Sequence, residues 1–183
     1  MRKDLINIAE TTLTILKKKD WNKLKLEEVK AKTKVKNFDK EIKNKNYLLK
    51  NINKYIDFKL RDDLKNIDQS SKKDMIFEIL MSRFDILQKN RLSIISIFKS
   101  FKKKPNDFII LLPSFIDSII MIAKNANVST SGLLGRINIK GILIIYFSTF
   151  LIWIKDDTDS LEKTMNSLDQ NLDKAEKLIN YFK

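Results

Sequence analysis

The chain contains no cysteine and no histidine. No disulfide, redox pair, His/Cys zinc site, or Ser-His-Asp or Cys-His nucleophile arrangement is therefore open to it. Catalysis would have to use carboxylates, Lys, Tyr or a bound cofactor. The sequence reads as a non-enzyme, and no cofactor or metal is expected. Glycine and proline are almost as scarce: the three glycines and two prolines all lie between Pro105 and Gly141. Arginine is limited to Arg2, Arg61, Arg83, Arg91 and Arg136. Long apolar runs are missing too. Residues 108–123 are interrupted by Pro113 and Asp117, and 141–154 is short; both fall below the roughly 18–20 residues that span a bilayer. Asp4 and Glu10 interrupt what would be a signal-peptide core. A cytoplasmic location is expected.

What is present is helix-forming and basic. The 183 residues are 43% hydrophobic and 32% charged, a globular profile, with a net charge of +13. Lys, Ile and Asn make up about two-fifths of the chain, a bias that an AT-rich coding sequence produces unaided. The distribution of charge is more informative. Residues 1–60 carry +9 of the excess and residues 61–183 only +4. A basic first third is the electrostatic footprint of a polyanion partner.

Apolar residues recur at spacings of three and four almost throughout, so the fold class expected is all-α. Leu5, Ile8, Ala9, Thr12, Leu13 and Leu16 predict a first helix, closed by Lys17–Asp20. Short helices follow over about 26–33 and 36–43. A fourth begins near Asn46 with Tyr47, Leu48, Ile52, Tyr55 and Ile56 on one side. Stripes at Ile76, Ile79, Leu80, Phe84 and Leu87, and at Leu92, Ile95 and Phe98, predict helices over 72–90 and 91–103; another covers 106–125. Ser129–Gly135 reads as a loop, 137–154 as an apolar helix. Asp156, Asp157 and Asp159 offer either helix caps or a cation site, the cap being the ordinary case. The last helix, 160–181, carries a near-heptad seam at Leu161, Met165, Leu168, Leu172, Ala175 and Ile179.

The first third resembles the TetR-type helix-turn-helix regulators. The likeness rests on Ala9 in the first helix, Trp21 after it, and Leu24-Lys25-Leu26-Glu27-Glu28-Val29 as a second helix. Val35 matches the valine of the turn, and Phe38, Ile42, Lys45, Leu48 and Leu49 match the positions leading into the fourth helix. The resemblance implies that the helix after the turn enters the major groove and that Lys45 contacts a phosphate. Lys25, Lys34, Lys36, Asn37, Lys40, Lys43 and Lys45 are the DNA-contact candidates; lysines neutralise phosphates, and an Asn amide can read an adenine edge. The chain departs from the family at Lys34, which replaces the turn glycine, and is about two residues shorter between Val35 and Lys45. Glu41 also falls inside the recognition helix. A left-handed conformation at Lys34 would cost roughly 1–2 kcal/mol.

Farther along, residues 75–85, Gly132–Arg136 and Trp153–Asp159 with Thr164, Met165, Leu168 and Asp169 resemble TetR-like proteins of one bacterial subgroup. The last stretch is also similar to TetR-folded, lipid-binding accessory proteins of ubiquinone biosynthesis. The division expected is a helix-turn-helix module over 1–55 and a larger helical ligand-binding and dimerisation domain over 56–183. The partners implied are double-stranded DNA, a small apolar ligand or lipid, and a second copy of the chain joined through 137–154 and 160–181. A dimer would set two recognition helices roughly 34–36 Å apart. The function implied is a DNA-binding repressor; the alternative is a lipid- or quinone-binding accessory protein that has lost DNA binding. Tyr146, Phe147, Phe150 and Trp153 read as core, as dimer interface, or as the lining of a ligand cavity between helices.

Overall fold

With neither glycine nor proline before Pro105, little interrupts helix propagation in the first half except capping and charge. The computed structural model describes residues 1–66 and 70–181, and among them the regular structure is helical, without a strand. The α-helices are α1 (Lys3–Leu16), α2 (Leu26–Thr33), α3 (Phe38–Glu41), α4 (Lys45–Asp63), α5 (Lys72–Gln88), α6 (Arg91–Phe101), α7 (Pro105–Asn125), α8 (Gly132–Trp153) and α9 (Glu162–Tyr181). A 3-10 turn at Trp21–Lys23 lies between α1 and α2.

Two compact units form, and they do not follow chain order. One joins Met1–Asp62 to Asp85–Phe115; the other joins Asp63–Phe84 to the chain from Ile116 onward. A boundary at residue 55 would cut through α4, whose buried stripe runs from Leu48 and Ile52 through Tyr55 and Ile56 to Leu60. Tyr47, expected on that stripe, is 44% exposed.

In the first unit, α1 packs against both α2 and α6. Ile8, Ala9, Leu13 and Leu16 are its buried apolar face. Hydrogen bonds tie it to three other helices: Asn51 Nδ2 of α4 donates to the Leu5 carbonyl (2.9 Å), Ser93 Oγ of α6 donates to the Leu13 carbonyl (2.6 Å), and its own Asn7 donates to the Thr33 carbonyl of α2 (3.2 Å). Ser93 marks a change from the expected register of α6. Its buried face is Ser93, Ile94, Ile97 and Ser100, while Leu92 stands 64% exposed. Small hydroxyl residues let two helix backbones come close, and the hydroxyl is satisfied there by a backbone carbonyl. Apolar spacing alone does not register them.

The second unit is centred on α8 and α9, which pack together. Phe84, Tyr146, Phe150 and Trp153 stack in sequence, with Phe84 to Tyr146 and Phe150 to Trp153 each 5.3 Å between ring centroids. The guanidinium of buried Arg83 lies 5.7 Å from the Tyr146 ring. Leu168 and Leu172 form the buried apolar side of α9, with buried Leu161 just before its first turn. Thr164 is buried where the heptad pattern pointed to Met165, which is 40% exposed. Ile179 lies outside the residues whose side chains are described.

The helix expected over 106–125 runs unbroken, and the loop expected over Ser129–Gly135 is shorter. Pro113 sits inside α7 on its exposed side, where the carbonyl left without an amide donor can turn to water, so the helix continues. The Ser129–Gly135 stretch is loop only as far as Ser131. Gly132 begins α8 with φ +64°, and Gly135 packs against the folded-back Thr130, so closely that a Cβ would come within 2.2 Å of its carbonyl carbon. As a result, α7 and α8 are 21 and 22 residues long, with mean hydropathies of 1.7 and 1.4. By length and composition alone, both reach what a membrane span requires.

Candidate nucleic-acid interface

The turn after α2 places the candidate residues. Thr33 closes α2, and Lys34 follows in the left-handed region at φ 53°, ψ 24°, its N–H donating to the Lys30 carbonyl (3.1 Å). That geometry is the usual way a helix ends on glycine, here adopted by lysine. Val35, Phe38 and Ile42 are buried and anchor the segment at spacings of three and four.

The helix between these anchors is one turn long, Phe38–Glu41, rather than the expected 36–43. Asn37 has non-helical backbone angles before it, and Ile42 after it. Lys36 and Asn37 therefore belong to the turn and Lys43 to the link into α4, leaving Lys40 as the single cation on α3. Lys25 precedes the first residue of α2. All six, Lys25, Lys34, Lys36, Asn37, Lys40 and Lys43, are exposed. The two acids of α3 are both engaged by cations from elsewhere in the chain: Asp39 pairs with Lys30 of α2, and Glu41 with Arg2, just before α1. Each pair offsets the charge of one α3 carboxylate.

Lys45 is placed differently. It opens α4 half-buried, its ammonium 4.7 Å from the Trp21 ring centroid and donating to the Trp21 carbonyl. Trp21 is itself held by its backbone N–H on Ser96 Oγ at 2.8 Å. Burial pushes the Lys45 ammonium below the usual lysine range, and the nearby Lys104 adds to that; Asp107 and Asp20 act the other way. Lys45 lines a cleft of about 260 Å³ with Trp21 and Asn22 from the 3-10 turn and Asn44 and Asn46 at the start of α4. Lys104 and Asp107, from the α6–α7 turn and the first turn of α7, close it. Lys104 is not among the residues that the sequence singles out: the run Lys102-Lys103-Lys104 is visible, but nothing in the linear order links it to Lys45.

The Asp-rich segment is a cap. Asp156 is fully buried, and its Oδ2 accepts from the N–H (2.8 Å) and hydroxyl (2.7 Å) of Thr164 while Oδ1 accepts from the Thr158 hydroxyl (2.7 Å). Burial raises its pKa, but the Thr158 and Thr164 hydrogen bonds outweigh that and bring it to about 2. Asp157 pairs with Lys163 at 3.4 Å. Among the described residues no group of three acidic side chains is placed to hold a metal ion.

No protein-family model and no curated protein matches this chain.

Proposed function

We propose that the chain is a DNA-binding transcriptional regulator of the TetR type, a repressor with a small apolar effector and no catalytic activity, working in the cytoplasm. The observation that supports this best is the charge arrangement around α3. Five exposed candidate residues, four of them lysines (Lys34, Lys36, Asn37, Lys40 and Lys43), flank or occupy the turn and the short helix, Lys25 is exposed before α2, and both acids of α3 are paired with cations. Phosphate contacts would come mainly from the flanks, and Asn37, exposed in the turn, is the residue proposed to read a base edge.

A second copy of the chain is the other partner proposed. Ile137, Ile144 and Leu151 recur every seven residues along α8 and are 57%, 68% and 52% exposed. That spacing makes one apolar stripe along the helix, suited to a two-fold pairing with the α8 and α9 of the partner.

The test is a genomic DNA pull-down with purified protein at two salt concentrations, followed by a mobility-shift assay on the enriched fragments. Binding should be steeply salt-dependent and should be lost in the double substitution Lys36→Glu, Lys40→Glu. Full retention by that variant would reject the reading.

One observation favours the lipid-binding alternative: only 28% and 33% of the apolar windows of α7 and α8 are buried within the chain. Against it, the aromatic side chains that would line a cavity are stacked on one another. Native mass spectrometry separates the two, since co-purifying acyl or isoprenoid mass supports the lipid reading.

A further inference from the structure

We propose that Lys104, in the turn between α6 and α7, seats a phosphate of the DNA backbone beside Lys45, extending the DNA footprint beyond the helix-turn-helix. The proposal rests on the DNA-binding reading and adds a contact that linear order does not show. Three observations carry it. Lys45 and Lys104, far apart in sequence, line one cleft in the first unit. The cleft adds the side chains of Asn22, Asn44 and Asn46, of which the Asn44 Oδ1 is already turned inward to accept from the Asn46 and Tyr47 N–H groups. Lys45 and Lys104 line the cleft with one carboxylate, Asp107, while Asp20 acts on Lys45 from nearby, so Lys104 is the cation left to meet a phosphodiester oxygen. Lys45 is tethered to Trp21 and half-buried, whereas Lys104 is exposed and can reach outward. Lys104 is therefore the better placed of the two to meet a strand passing outside the groove.

Each phosphate that a lysine neutralises contributes about 0.9 to the slope of log affinity against log salt. The experiment is fluorescence anisotropy of the full chain with a labelled mixed-sequence duplex of about 30 base pairs, titrated from about 50 to 200 mM salt. Lys104→Gln should reduce the slope by about 0.9, so the affinity lost across that range shrinks about 3-fold. Asp107→Asn should bind more tightly than the native chain, because it removes an acid that lines the cleft. Lys54→Gln, an exposed lysine farther along α4, should leave the slope at least closer to native than Lys104→Gln does.

A native slope in Lys104→Gln, with native-strength binding still lost in Lys36→Glu, Lys40→Glu, would overturn this proposal and leave the DNA-binding reading intact. No salt-dependent binding by the native chain would overturn both. Saturable binding of inorganic phosphate alone, abolished by Lys104→Gln while the DNA slope stays native, would make the cleft a free-anion site and overturn the proposal.

Discussion

The Lys45 ammonium lies over the face of Trp21, 4.7 Å from the ring centroid, and donates to the carbonyl of the same residue. One side chain thus ties the start of α4 to the turn after α1. A lysine in this position is part of the module's framework as well as a charge.

Lys45→Ala should therefore destabilise the fold by roughly 1–3 kcal/mol, combining a charge-assisted hydrogen bond with a cation–π contact. Lys40→Ala, at an exposed site, should stay within about 0.5 kcal/mol of native. Urea unfolding of the two variants checks the contrast. Equal stability would show that the Lys45–Trp21 contact contributes nothing.

Lys34→Gly should stabilise the chain by about 1 kcal/mol, because glycine accepts the left-handed conformation that Lys34 adopts at φ 53°. A rise in melting temperature confirms it, and a fall shows that the Lys34 side chain contributes more than its backbone costs. DNA affinity should drop slightly through the lost cation.

Asp156 gives the fold an acid-sensitive point. Its folded pKa of about 2 lies below the ordinary 3.8, so the folded state holds that proton less tightly than the unfolded chain. The stabilisation is present in full above about pH 4 and is lost as pH falls through 3.8 towards 2. Thermal melts of Asp156→Asn should show a lower melting temperature at pH 7 and a shallower decline between pH 4 and 2 than the native protein. A parallel decline would remove Asp156 from the acid response.

Ile144→Glu should convert a dimer to a monomer without unfolding it, since the side chain is 68% exposed within the chain. Sedimentation measures the mass and circular dichroism the fold. A native dimer that survives this change pairs through some other surface.

Much of the architecture was legible in the linear order because helix formation is local. The spacing of Ile8, Leu13 and Leu16, or of Leu168 and Leu172, places one face inward whatever it packs against. Features that depend on a distant partner were misread. Ser93 looks like a surface residue until the Leu13 carbonyl is brought against it, and Thr164 looks subordinate to Met165 until Asp156 is buried beneath it. The loop reading of Ser129–Gly135 failed because Gly135 serves close packing against Thr130 instead of flexibility.

The candidate interface divides the same way. Composition alone removed histidine and cysteine chemistry, and the charge count alone pointed to the first third, because both are properties of the chain without its fold. The sequence also carried the buried triplet Val35, Phe38 and Ile42, whose spacing holds α3 in place. Only the tertiary structure decided that α3 is a single turn, that Asp39 and Glu41 are paired with Lys30 and Arg2, and that Lys104 shares a cleft with Lys45. The reason is range: helical periodicity acts over three or four residues, whereas the charge a partner meets is set by side chains that folding brings together from distant parts of the chain.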